Sequence, residues 1–257
     1  KYILPEVVYA YGLQAAIDNQ YLKKPTVHGY TNPRSSEFVE LVIEDFLENC
    51  QGERYEGMRP KLAFFAARID DLQTELRPAV EAALQKHSIP TDRILVNVGD
   101  DKLTTSEDIR EFNQLDSAKS RKQFILLVVK GREGWNCRSL FGVALFRRPR
   151  SKIFVLQATM RCLRSITDVQ QTGSIYLSEE NLEILDDELQ QNFRLTVGEF
   201  TKAGTDKKAY KVRVKTPVDQ IKLTRVRKQY ELEAKRFAPG LCFGLNQVDT
   251  EQFRLLH

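Results

Sequence analysis

Two uncharged runs, Phe124–Val129 (FILLVV) and Phe141–Phe146 (FGVALF), most constrain what this 257-residue chain can fold into. A strand with one wet face alternates apolar and polar residues. A continuous short apolar run belongs to a strand covered on both faces, as in a parallel sheet flanked by helices. KLAFFA (Lys61–Ala66) and RILVNV (Arg93–Val98) have the same character. The segments between them carry helical periodicity. Ser35–Cys50 has Ser36 as its N-cap candidate and places Phe38, Leu41, Val42 and Phe46 on one face, interrupted by Asp45. A long helix is expected from Asp70 to about His87, and another over Thr104–Leu115, capped by Thr105 or Ser106. Alternation of this kind predicts a doubly wound α/β domain over roughly residues 35–170. Ligands of such sheets sit at the carboxyl ends of the strands, which puts Ala66–Arg68, Gly99–Asp101 and Lys130–Asn136 on one expected functional edge.

The flanking segments are less regular. In residues 1–34, Pro25, Gly29 and Pro33 interrupt any element, so this stretch is expected to be a linker packed on the domain, with His28 a surface or hydrogen-bonded residue. The chain starts at Lys1, not Met, and is expected to be part of something longer. Beyond residue 170 the alternation fades. GSIYLS is a short strand, Ser178 caps the helix that follows, and Tyr210–Lys215 has the period of a strand. Residues 171–257 are therefore expected to form a smaller α+β extension. LDDEL (Leu185–Leu189) lies in mid-helix and is expected to be a solvated face, not a metal-binding box.

Charge is unevenly placed. The net charge is only +4, yet Lys119–Arg164 holds twelve Lys and Arg against the single acid Glu133. Lys202–Arg236 again holds twelve, against four acids. Two basic blocks on a nearly neutral chain point to an anionic ligand. The four cysteines, Cys50, Cys137, Cys162 and Cys242, form no CxxC pair and have no histidine at ligand spacing. That argues against zinc and for a reducing compartment; the expectation is a cytoplasmic protein with no metal site of its own. No apolar run approaches membrane-spanning length.

The second apolar run leads into SKIFVLQATMRCLR (Ser151–Arg164). Its offsets place Gln157, Arg161 and Arg164 within roughly 60° of one another on a helix. The remaining residues, among them Ile153, Phe154, Val155, Leu156, Met160 and Leu163, are of core type. Guanidinium groups beside a core cost several kcal/mol unless an anion meets them. Such a fork suits phosphate oxygens and the charge that develops on a transferring phosphoryl group. Spacing alone equally allows structural salt bridges to acids elsewhere. The preceding loop, KGREGWN, adds Gly131 and Gly134, which allow close backbone approach, and Asn136, which can relay hydrogen bonds.

GREGWN followed by QATMRCLR resembles motifs V and VI of superfamily 2 helicases, in the form found in the Res subunits of type III restriction enzymes and related DEAD/DEAH-type proteins. Strand Lys61–Ala66 is similar to motif IV, and IYLSEENLEILDDELQQNF and KVRVKTPVDQIKLTRVRKQYEL are similar to the segment that follows the motor; the likeness spans about residues 60–235. The resemblance implies a second RecA-like domain whose ATP and Mg²⁺ are bound mainly by a first domain. It implies that Arg161 and Arg164 reach the ATP phosphates, with Gln157 closing the cleft. Gly134 and Asn136 would couple nucleotide to nucleic acid, and Arg68, Lys130 and Arg132 would contact the phosphate backbone. Implied partners are DNA or another nucleic acid, the first motor domain, and a modification or nuclease subunit. The sequence departs from the family pattern at Met160, where glycine is usual, and at Asn136, where aspartate is usual.

No G-x-x-x-x-G-K-[ST] and no DEAD or DEAH box occurs in the 257 residues. The chain alone is therefore not expected to bind ATP tightly or hydrolyse it. Two readings follow: the C-terminal half of an ATP-dependent helicase or translocase, or a non-catalytic RecA-like binding or assembly module. A Rossmann-type enzyme lacks its GxGxxG here.

Overall fold

Six strands form one sheet in the order β1-β6-β5-β2-β4-β3, every neighbouring pair parallel. They are β1 (Lys24–Tyr30), β2 (Lys61–Ala66), β3 (Ile94–Asn97), β4 (Phe124–Leu127), β5 (Leu140–Phe146) and β6 (Thr172–Ser178). The computed structural model describes residues 11–99, 104–128, 135–147, 151–167 and 169–202. The expected strand Tyr210–Lys215 and the rest of the basic tail lie outside them.

The apolar runs earn their continuity by serving two cores. In β2, Leu62, Phe64 and Ala66 join the core on one face while Ala63 and Phe65 join the other. In β4 the split is Phe124 and Leu126 against Ile125 and Leu127. Period-2 side-chain geometry thus needs an apolar residue at every position of an inner strand. One face is covered by α2 (Ser36–Cys50) and α4 (Arg77–Lys86), which pack together. On the other, α6 (Lys152–Thr159) packs against α7 (Glu179–Phe193).

Several local readings shift. The cap of α2 is Ser35, one residue earlier than expected; its side chain accepts from the Phe38 N–H at 3.1 Å. Leu41 is exposed, and the buried face is Phe38, Val39, Val42, Ile43, Phe46 and Leu47. Asp45 interrupts that face with a purpose: its Oδ2 accepts from the buried Tyr176 hydroxyl at 2.6 Å and lies 3.9 Å from His28 Nε2. The long helix expected from Asp70 contains a π-turn at Leu72–Leu76, which gives way to α4 at Arg77. Pro78 follows immediately and has no N–H to offer a regular ladder, so the wider turn falls where the proline ring needs space. Thr105 caps α5 (Ser106–Asn113) in a reciprocal box with Asp108.

Two boundaries also move. Residues 1–34 are not all linker: α1 (Leu13–Asp18) and strand β1 fall within them. Pro25 and Gly29 are tolerated because β1 is an edge strand, where a missing N–H costs no ladder bond. Likewise, β6 lies past residue 170 but sits inside the sheet between β1 and β5, and α7 and α8 (Val197–Lys202) continue the same unit. The LDDEL stretch is solvated only in part: Asp187 is exposed and pairs with Lys152 at 3.2 Å, Asp186 is half-buried, and Glu188 is buried along with Leu185 and Leu189. No helix among the described residues is long and apolar enough to cross a membrane.

Lys23, immediately before β1, is fully buried. Its Nζ donates to the carbonyls of Arg138 (2.7 Å) and Leu140 (2.8 Å) and sits 3.9 Å over the Phe141 ring. Burial, partly offset by the electrostatic field of Cys162, Cys137 and Asp116, lowers its pKa from 10.5 to about 8. Between those values the unfolded chain holds more protons, so stability rises with pH. Above the ordinary thiol value near 9 the trend is opposed, because burial pushes Cys50, Cys137 and Cys162 up to about 12. Urea unfolding between pH 8 and 9 should therefore show a gain of up to about 1 kcal/mol. In Lys23→Met the gain should shrink, leaving the smaller contribution of buried Lys61, whose pKa burial also lowers. Equal slopes in both proteins would refute the assignment.

Candidate functional site

The segment after β5 begins as expected and ends differently. Helix α6 stops at Thr159, whose hydroxyl turns back onto the carbonyls of Val155 (2.8 Å) and Leu156 (3.0 Å). Met160–Leu163 continue as a 3₁₀ turn, and Arg164 is extended, forming an antiparallel bridge with Leu22. Gln157, Arg161 and Arg164 are therefore not a stripe on one regular helix. Nor is the rest of the helix buried all round: Ile153 is 61% exposed, and Leu156 and Met160 are half-buried, because α6 covers the sheet with one face only.

The three side chains nevertheless meet. With Asn136 they line one side of an open cleft of about 630 Å³, whose apolar wall comes from Leu13, Leu22, Met160 and Phe193. No aspartate or glutamate lines it among the described residues. Arg161 Nη1 donates to the Trp135 carbonyl at 2.7 Å, and its guanidinium lies 6.0 Å from the Trp135 ring centroid. Arg164 Nη1 donates to Asn136 Oδ1. Burial first, and the Arg164 charge second, push the Arg161 guanidinium down from its ordinary value. Two cations face the cleft, and forked donors of this kind suit the oxygens of an oxyanion.

Non-local contacts position it. Asp116 accepts from the N–H groups of Arg138 (2.6 Å) and Ser139 (2.9 Å) and from the Ser139 hydroxyl (2.6 Å), fixing the chain just after Asn136. These bonds hold its carboxyl below the usual range, although burial, the largest single influence, pushes it upward. Trp135 stacks on Phe112 with centroids 5.0 Å apart. The Lys23 N–H donates to the Leu163 carbonyl at 2.6 Å, so Lys23 touches both segments that build the cleft. Asp116, Lys23 and Phe193 carry no motif signal, and their roles arise from contacts across the fold; Trp135 belongs to the GREGWN stretch.

The expected edge needs correcting. Leu22 and Lys23 precede β1, and Arg138 and Ser139 precede β5, so the cleft lies toward the amino ends of those strands. Asn136 belongs with it and not with Ala66–Arg68 on the carboxyl edge. Arg68 is bound to Asp71, with Nη2 3.1 Å from Oδ1, and does not line the cleft. Gly134, Lys130 and Arg132 lie outside the described residues, as does most of the KGREGWN loop. Met160 takes an ordinary helical conformation (φ −65°), so glycine is not required there; its side chain adds bulk to the cleft wall. A cavity of about 670 Å³ at the carboxyl ends of β1 and β6 is less suited to anions: Glu179 and Glu180 line it, and its Arg34 is engaged by Asp71 and Glu75.

ATP fits the cleft by donor chemistry, since guanidinium and amide groups face it. Among the described residues no carboxylate lines it, and no cluster of three or more His, Cys, Asp or Glu forms. One packing contact tests how tightly the cleft is held. A Cβ at Gly173 would lie 2.7 Å from the Cys162 carbonyl oxygen, inside the 3₁₀ turn that carries Arg161. Gly173→Ala should cost about 1–3 kcal/mol in chemical denaturation. An unchanged midpoint would show that the turn yields freely.

No family model matches the chain, and no curated protein matches it. Among solved structures, a fragment assigned as an HsdR subunit of a type I restriction enzyme from Vibrio vulnificus YJ016 aligns with TM-score 0.53 and 14% identity, over 76% of this chain and 38% of that one. Domain 2 of the DEAD-box helicase Mss116p, bound to an RNA duplex, aligns with TM-score 0.48 and 16% identity, over 68% and 61%. The Type ISP restriction-modification enzyme LlaBIII, bound to DNA, gives 0.47 and 15%, over 66% and 13%. The chain thus spans less than two thirds of the length of each. In fold, the described residues are a RecA-like α/β domain, as the sheet topology and the likeness to the HsdR fragment show.

Proposed function

We propose that this chain is the C-terminal half of an ATP-dependent nucleic-acid helicase or translocase of the Res-like type, working in a restriction or phage-defence system of the cytoplasm. The observation that carries the proposal is the convergence of Gln157, Arg161, Arg164 and Asn136 on one open cleft. ATP with Mg²⁺, held mainly by a P-loop domain absent from this sequence, would supply the phosphoryl group that is transferred to water. Arg161, braced by the Trp135 carbonyl, holds positive charge against the phosphate oxygens. Arg164 donates to Asn136, a neutral amide that does not offset its positive charge. Gln157, exposed one turn earlier, adds an amide to the same wall. Fixed charges of this kind are worth about 10³–10⁵ in phosphoryl-transfer rate. Nucleic acid, with DNA the substrate suggested by the Res-like motifs, would be tracked by Arg68, Lys130 and Arg132, with Gly134 linking it to the nucleotide.

The test is nucleic-acid-stimulated ATP hydrolysis by the protein that includes the P-loop domain. Arg161→Ala should lower turnover by about 10³-fold or more, with circular dichroism and unfolding midpoint unchanged. Full turnover would remove Arg161 from the reaction. A second reading, a RecA-like module kept for binding or assembly, is favoured by the bulk of Met160 on the cleft wall. A Walker A motif encoded upstream of Lys1 supports the motor; its absence supports the module.

A further inference from the structure

A second cationic surface lies along the amino edge where β2, β4 and β3 begin. Arg59 stands two residues before β2 and Arg93 directly before β3, with Arg54 in the loop that leads to β2. Gln123, directly before β4, ties this edge together: its N–H donates to the Arg93 carbonyl (2.8 Å) and its side-chain oxygen accepts from Arg93 Nη1 (3.3 Å). None of the three arginines forms an ion pair with a described carboxylate. Arg54 reaches the Gly57 carbonyl at 3.2 Å, Arg93 reaches a neutral amide, and the Arg59 guanidinium has no hydrogen-bond partner among the described residues, its Nε being buried without an acceptor. Burial and the nearby charges of Arg93 and Arg54 push the Arg59 guanidinium down, as expected for crowded cations.

Glu53 and Asp92 neighbour Arg54 and Arg93 in sequence without pairing with them among the described residues, and three further acids are engaged elsewhere. Glu56 faces Arg138 at 3.4 Å, Glu111 faces Lys122 at 3.2 Å, and Asp116 holds the backbone of Arg138 and Ser139. Past Arg93 lies a cavity of about 360 Å³ lined by Lys119, Arg121 and Lys122 together with Asp92 and Glu111, of which Glu111 is taken by Lys122. Across three adjacent strands this edge extends on the order of 10 Å. Charge spread over that length suits a polyanion better than one small anion. The loops of this edge carry no large exposed apolar side chain among the described residues, so they lack the anchors that a protein partner would use.

We propose that this amino edge, through Arg54, Arg59, Arg93 and Arg121, binds the phosphodiester backbone of a nucleic acid, at residues separate from those of the cleft. The choice of ligand class rests on the proposed function; the surface itself does not. The test uses the full 257-residue chain and a fluorescein-labelled single-stranded oligodeoxythymidine, followed by anisotropy over a range of salt concentrations. Arg59→Gln and the exposed Arg121→Gln should each weaken binding severalfold at low salt. Each should flatten the slope of log affinity against log salt by about 0.7. Arg77→Gln, whose guanidinium is held by Glu81 at 2.8 Å, should change neither. Unchanged slopes in both test variants would overturn the surface alone and leave the cleft untouched. Displacement by poly-glutamate as effective as by unlabelled oligonucleotide would overturn the ligand class in favour of an acidic protein. An oligonucleotide that fails to bind the unaltered chain would overturn this surface and the nucleic-acid part of the proposed function together, while the Arg161 turnover test would still stand.

Discussion

A single buried ammonium joins the segments from which the cleft is made. Lys23 bonds the chain before β5 through its side chain and the end of the 3₁₀ turn through its backbone, and it leads directly into β1. These three segments lie more than a hundred residues apart in the case of residues 23 and 138. A fully buried charge is costly, and it persists here because two carbonyls and an aromatic face receive it. Without that junction the guanidinium groups and Asn136 would belong to independent loops. The oxyanion receptor is thus a property of how the sheet's amino edge is tied, more than of the helix that carries two of its residues.

Much of the architecture was legible because inner strands of a parallel sheet must be apolar on both sides. KLAFFA and FILLVV could be read as strands without knowing their neighbours. Edge strand β1 could not, because half-exposed positions relax the pattern and admit Pro25 and Gly29. β6 was visible as a strand but not as an interior one: order within a sheet is set by packing, and no local period records it. The N-caps were readable to within one residue, since Ser35 and Ser36 offer the same hydroxyl.

The cleft was legible in part. Gln157, Arg161 and Arg164 stand out because charge interrupts a core-type segment, and that signal survives even though the regular helix ends at Thr159. Asp116 and Lys23 gave no such signal. Each looks like an ordinary surface residue until the fold brings a carbonyl or an N–H to it. The basic edge around Arg59 was equally hidden, for Arg54, Arg59, Arg93 and Arg121 are dispersed over sixty-odd residues and only strand pairing gathers them.

The bridge between Leu22 and Arg164 gives the two arginines different mechanical footings. Arg161 rides on a turn braced by Trp135, deep against the sheet. Arg164 is stitched to the lead-in of an edge strand, the part of a sheet held from one side only. Tension on residues 19–23 would reach Arg164 through the Leu22 bridge and the turn that carries Arg161 through the bond from Lys23 to Leu163.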